Sequence, residues 1–231
     1  MHVDLALIAN LWSADSAIDR LKAEHEALAN AVRTGISSLA EAEATLTAAI
    51  ASREAVKQAA RLNDRELGGY VEKRDRTRTM IDTGTAPDYA AAERQLSQVI
   101  AIVDTLETRA IELMDSVDAA VTAAAAAEKA KIKAIESLAT ARKALADRDA
   151  PIRAELTVLA GKQKVAAAEL PAEYRAPYAE QRRRKRPAVT NTSELGICVN
   201  CGMKARPQHL SEVQMSRAVH RCSGCAAYFL P

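Results

Sequence analysis

The chain has 231 residues; 48% are apolar but only 3% are aromatic, and it holds just 8 glycines and 7 prolines. Much of the apolar set is alanine, which supplies close-packing surface and little bulk, so the composition argues against a large globular core and for long helices. The formal net charge of +2 conceals a split: residues 1–150 hold 19 Lys and Arg against 24 Asp and Glu, a balance of −5, and residues 151–231 hold 13 against 6, a balance of +7. The basic end is the one suited to an anionic partner.

Leu5 to Trp12 is an apolar stretch with Asp4 before it and Asp15 after it. It is short, and no run in the chain approaches the roughly 18 apolar residues of a spanning helix, so the sequence predicts neither a signal peptide nor a membrane segment and a cytoplasmic location.

From Ile18 to Tyr70 a seven-residue repeat is legible. One series is Ile18, His25, Val32, Leu39, Leu46, Arg53, Ala60 and Leu67, and its companion is Leu21, Leu28, Gly35, Ala42, Ala49, Val56, Asn63 and Tyr70. A second run takes Leu96, Val103, Ala110, Val117, Ala124, Lys131, Leu138 and Leu145 with Val99, Leu106, Leu113, Ala120, Ala127, Ala134, Ala141 and Arg148. Heptads sustained over this length predict a coiled coil. The breakers Gly84 and Pro87 fall between the runs, so a turn is expected near 79–88 and the two arms should pack antiparallel. His25, Arg53, Asn63 and Lys131 interrupt the seam and are read as register-fixing or snorkelling residues. Gly68-Gly69 marks a local irregularity or a hinge.

Asp149 can cap a helix with Pro151 in its first turn, which predicts a kink or restart near 149–151 and a helix running to about Leu170. Pro171 and Pro177 follow, with Tyr174 and Tyr178 spaced to pack on one face as docking side chains. Arg182, Arg183, Arg184, Lys185 and Arg186 form a basic run leading into a polar stretch, and residues 181–194 read as a basic linker. Such a run attracts phosphates through counterion release without reading sequence, and equally suits the C-terminal end of a helix. No interleaved aromatics accompany it to stack on bases.

The four cysteines lie in two identical pairs, Cys198-Val199-Asn200-Cys201 and Cys222-Ser223-Gly224-Cys225. Each CxxC turn can aim two sulfurs at one ion, and two such turns complete a closed tetrahedral thiolate shell with no open position for an activated water. The spacing favours one structural Zn²⁺ over iron, a disulfide or redox use. His209 and His220 lie inside the module, but four cysteines already saturate a metal, so both read as surface or strand residues. Val199, Val219, Tyr228, Phe229 and Leu230 supply short strands and a small apolar patch. A module this size has too little core to fold alone, so metal binding should hold it together. The predicted organisation is therefore mainly α: a long antiparallel coiled-coil hairpin over residues 1–180, the linker, and a small C-terminal β zinc ribbon over 195–231.

This arrangement resembles the bacterial C4-type zinc-ribbon family, whose members carry a long helical hairpin before a C-terminal ribbon. Asp88-Tyr89-Ala90-Ala91-Ala92-Glu93 is similar to the family's opening of the second arm, and Leu106-Glu107 through Leu113-Met114 to its LE...LM segment. Cys198-Val199-Asn200-Cys201-Gly202-Met203, Pro207-Gln208 and the Cys222–Cys225 pair match its ribbon. The family continues its last CxxC with Gly-Arg and ends Leu-Tyr, whereas this chain has Ala226-Ala227-Tyr228-Phe229-Leu230-Pro231, so no role of that arginine carries over. The resemblance implies a non-enzymatic binding protein that associates with the enhancer-dependent sigma factor, sigma-54, and influences flagellar or other regulated gene expression. An RNA- or DNA-binding module using the basic run and the ribbon is the alternative. No small-molecule substrate and no catalysis are expected: the chain lacks a phosphate-binding glycine loop, an HExxH and any Ser/His/Asp or Cys/His arrangement with a spare nucleophile.

Overall fold

A computed structural model describes residues 2–215 and 217–230. Two long helices, α1 (Val3–Asp82) and α2 (Tyr89–Glu169), are followed by α3 (Ala172–Arg183), β1 (Val189–Thr190), α4 (Pro207–Gln214) and β2 (Tyr228–Phe229). The two long helices pack against each other as a hairpin, and the short strands pair in parallel, Val189 with Tyr228 and Thr190 with Phe229. The chain divides into two compact units, one formed by Ala31–Arg142 and the other by Met1–Asn30 with Lys143–Pro231.

The turn between the arms is built by local chemistry. Gly84 takes a left-handed φ of +71°, which lets the Gly84 N–H reach the Ile81 carbonyl at 3.2 Å and the Thr85 N–H reach that of Met80 at 3.0 Å. These two bonds satisfy carbonyls that the helix end would otherwise leave open. Asp88 then caps α2, its Oδ1 accepting the Ala91 N–H at 3.0 Å.

Within Ala31–Arg142 the arms are antiparallel, since later residues of α1 meet earlier residues of α2. All 32 predicted heptad positions across the two runs are buried or half-buried. Alanine and glycine at the seam bring the backbones close: a Cβ on Gly35 would lie 3.1 Å from Leu138 Cδ1 and 3.3 Å from its Cα. Each polar interruption here has at least one partner. Asn63, only 3% exposed, donates from Nδ2 to the Leu106 carbonyl at 3.0 Å across the seam. Lys131 Nζ lies 3.8 Å from Glu43, and Arg53 turns outward to the adjacent Glu54 at 2.9 Å. The Asn63 bond ties one arm to the other, while its own Oδ1 is buried with no hydrogen-bond partner among the described residues.

In the other unit His25 Nε2 bonds Asp149 Oδ1 at 3.0 Å, and Arg148 donates from Nε to Glu24 at 2.6 Å. Of the kink or restart expected near 149–151, the restart does not occur: α2 runs through Pro151 to Glu169. Asp149 does not start a new helix there; its carboxylate is held by His25 and by Arg153, whose Nη2 lies 2.9 Å away. Gly68-Gly69 likewise sits inside α1 without interrupting it.

Gly35 and Gly68 therefore predict opposite outcomes. Gly35→Val must push the arms apart and should destabilise by about 1–3 kcal/mol. Gly68→Ala, where a Cβ meets nothing within 4 Å, should stabilise by up to about 1 kcal/mol through helix propensity. Thermal unfolding followed by circular dichroism checks both, and a Gly35→Val variant as stable as the wild type would remove the close-approach argument.

Candidate metal centre

The first CxxC turn follows a bridge between Thr192 and Cys198, and a second bridge pairs Ile197 with Lys204 on the far side of the turn. Gly202, immediately after Cys201, has φ +72°, and its N–H returns to the Cys198 carbonyl at 2.9 Å. The second turn repeats the geometry: Ala226, immediately after Cys225, has φ +62°, and its N–H returns to the Cys222 carbonyl at 2.9 Å. A left-handed conformation is free for glycine and strained for alanine. Gly224 is constrained differently, because a Cβ there would approach Cys201 Sγ to 3.0 Å.

The four sulfurs of Cys198, Cys201, Cys222 and Cys225 all lie within 4.8 Å of one another, and none forms a disulfide. Cys198 and Cys225 are 3.8 Å apart and Cys201 and Cys222 are 3.5 Å apart, so each close pair joins the two turns. A tetrahedral ion with bonds of about 2.3 Å to sulfur requires S···S edges of about 3.8 Å. The cluster is thus close enough to hold one metal ion, and the all-sulfur donor set suits zinc. Burial opposes ionisation of Cys198, but Thr190 Oγ1 and the backbone N–H groups of Cys201 and Asn200 outweigh it and bring the thiol down to about 6. Burial, reinforced by the neighbouring sulfurs, pushes Cys225 up to about 12. Thiolates held this close repel one another, and a cation at their centre removes the conflict.

The apolar side of the ribbon does not stand alone. Leu5, at 0% exposure, shares a core with Cys198, Ala205, Val213, Cys222 and Phe229. One turn along α1, Ile8 and Leu11 join Leu170, Tyr178, Val189 and Tyr228. The Leu5–Trp12 stretch is thus the surface on which the ribbon and α3 are mounted. Tyr174 and Tyr178 dock as the spacing suggests. Tyr174 meets Tyr228 edge-on, ring centroids 6.2 Å apart, and its carbonyl accepts the Tyr228 hydroxyl at 3.0 Å. Tyr178 donates to Asp15 Oδ2 at 2.7 Å, and burial holds its hydroxyl well above the usual phenol range. Asp15 is itself 3% exposed and also takes a bond from Gln163.

The basic run straddles the end of α3: Arg182 and Arg183 form its last turn, Arg184 is its C-cap, and Lys185 and Arg186 lie beyond it. Arg182 lies 2.7 Å from Asp19 and 3.3 Å from Asp15 and passes over the Trp12 ring at 5.9 Å. Its hydrogen bond to Asp19 holds that carboxyl below its ordinary value. Arg183 and Arg184 both bond Glu180. Among the described residues no carboxylate pairs with Lys185 or Arg186. Residues 189–190, within the expected linker, supply β1 to the ribbon's sheet.

Sequence reasoning missed α4, although Pro207 at its first turn is a helix-start signal. Val199 is 69% exposed and lies outside the apolar patch expected to contain it. His209 and His220 are half-buried and stacked, with ring centroids 4.1 Å apart, and His220 bonds Glu212. Pro231 lies outside the described residues.

No protein-family model matches the chain, and no curated protein does. Among solved structures, the HP0958 protein from Helicobacter pylori is similar over 98% of this chain and 96% of its own, with a TM-score of 0.66 at 10% identity. That likeness shows a shared fold. CT398 from Chlamydia trachomatis, at 16% identity over 97% of this chain and 98% of its own, has a TM-score of 0.48. A Mycobacterium smegmatis protein has the same score and identity, covering 100% of this chain and 99% of its own.

Two substitutions test the centre and its mounting. Ala226→Gly should relieve the left-handed strain and stabilise the metal-loaded protein by about 0.5–1 kcal/mol, read as a higher unfolding midpoint in denaturant. Tyr178→Phe strips a hydrogen bond from buried Asp15 and should cost about 1–3 kcal/mol. It should also speed metal release to a chelator, and an unchanged release rate would separate the mounting from the metal site.

Proposed function

We propose that the chain is a non-enzymatic zinc-ribbon protein that acts by binding another protein, with one structural Zn²⁺ held by Cys198, Cys201, Cys222 and Cys225. The observation that carries this reading is the arrangement of the four sulfurs. They satisfy a tetrahedral ion among themselves, so the metal supplies folding energy and leaves no coordination position for a substrate.

The protein surface then carries the function. Leu195 at 76% exposure, Val199 at 69% and Met203 at 48% present apolar side chains on the ribbon, which suits a contact with a protein. The partner class implied by the sequence resemblance is the transcription machinery, and sigma-54 is the first partner to test, with regulated gene expression as the outcome and the cytoplasm as the setting. Among the described residues no helix is long and apolar enough to cross a membrane. The nucleic-acid reading ranks second, because Arg182 is bonded to Asp15 and Asp19 and only the outer residues of the run stay available to phosphates.

Metal analysis of the purified chain should give one zinc per polypeptide, and Cys198→Ser/Cys222→Ser should abolish its retention. Purified sigma-54 should bind the zinc-loaded wild type, and the double variant should bind it at least about tenfold more weakly. Stoichiometric zinc without sigma-54 binding would keep the metal site and reject that partner. Absence of zinc would reject the reading at its base.

A further inference from the structure

The outer face of α2 carries a second heptad that the hairpin seam does not use. Between Ala110 and Ala134, five of the eight seam positions of α2 are alanine, while larger apolar residues sit outside. Ile111 and Met114 are each 59% exposed, Val121 43%, Ile132 47% and Ile135 46%. These five fall into one alternating spacing of three and four: 104, 107, 111, 114, 118, 121, 125, 128, 132, 135, 139, 142. That is coiled-coil spacing, and it lies wholly within the Ala31–Arg142 unit.

The stripe is self-complementary when reversed about Ala123. Turned end for end, Ile111 faces Ile135, Met114 faces Ile132, Val121 faces Ala125 and Asp104 faces Arg142. The charges on either side reverse as well. Residues 104–118 carry five carboxylates against one cation, Arg109, whereas residues 129–142 carry four cations against one carboxylate, Glu136. One mismatch remains, Asp118 opposite Glu128, and Lys129 stands beside it. A patch that matches itself in reverse is the signature of a two-fold interface, in which the same surface serves both copies.

We propose that this face of α2 binds the same face of a second copy of the chain, antiparallel and centred near Ala123. From 104 to 142 the stripe is about 57 Å long at 1.5 Å per residue, and one helix width of about 10 Å gives on the order of 600 Å² per copy. Ile36 at 48% and Ile50 at 39% exposure share the heptad position of Glu43 on α1, whose contact with Lys131 places them on the same flank. They widen the patch toward the ~800 Å² per partner of a stable interface. The Ala-rich seam gains little from its own burial, and a second seam supplies the apolar contact that it lacks.

Sedimentation velocity of the full, zinc-loaded chain over a concentration series tests this without any other protein. The wild type should shift from monomer to dimer as concentration rises. Met114→Glu/Ile132→Glu should stay monomeric with unchanged helical circular dichroism, and Met114→Gln/Ile132→Gln should raise the dimer dissociation constant by about tenfold or more. Arg142→Asp should weaken the dimer, and adding Asp104→Arg should restore it. A wild type that stays monomeric throughout overturns the proposal, as does a dimer that survives the glutamate variant. So does a monomeric wild type that loses a captured foreign protein in that variant, because the face then belongs to a different partner.

Discussion

The ribbon's apolar side chains need a surface that the ribbon does not contain. A module of this size buries too small a fraction of its own area to offset chain entropy, and here the missing surface is the first three turns of α1. Leu5 completes the core behind Cys198, Cys222 and Phe229. Ile8 and Leu11 complete the one behind Val189 and Tyr228. The N-terminal turns and the C-terminal module thus hold each other, and the metal cluster and the hairpin base belong to one folding unit.

That mounting also explains where the polar groups go. Asp15 is buried beside the apolar contacts, and a lone buried carboxylate is costly. Tyr178, Gln163 and Arg182 together satisfy it. Arg182 is consequently a structural cation: its partners Asp15 and Asp19 lie on α1, and its aromatic neighbour is Trp12. Charge that reads as a binding surface in a linear stretch is partly consumed in fixing α3 against the hairpin.

The seam was fully legible in the sequence because a heptad is a local signal, and each of its positions can be read from neighbours seven residues away. The same holds for the turn, where Gly84 and Pro87 announce a stop, and for the cysteine pairs. What stayed illegible depends on partners distant in sequence. Leu5–Trp12 reads as a short apolar stretch until residues nearly 200 positions later cover it. Arg182 reads as one of five like charges until Asp19 lies beside it. Asp149 and Pro151 carry the chemistry of a helix start, yet the helix continues through both, and Asp149 instead bonds His25 on the other arm. Ala226 hides its conformation for another reason: the residue that would advertise a positive φ is glycine, and this chain has alanine there.

The alanines of the second arm connect its two faces. Small residues at a seam bring the backbones together, as at Gly35 and Leu138, and hydrogen-bonded residues such as Asn63 then tie one arm to the other. Close approach trades apolar area for proximity, so a seam of this kind contributes less stabilisation per turn than one of leucines. The larger apolar residues of α2 were not spread evenly around the helix to compensate. From Ile111 to Ile135 the exposed ones keep one spacing, on one face, with opposite charge excess at its two ends, and solvation alone gives no reason for that order. A second surface of matching spacing does, and the reversal symmetry about Ala123 makes another copy of the chain the surface that fits.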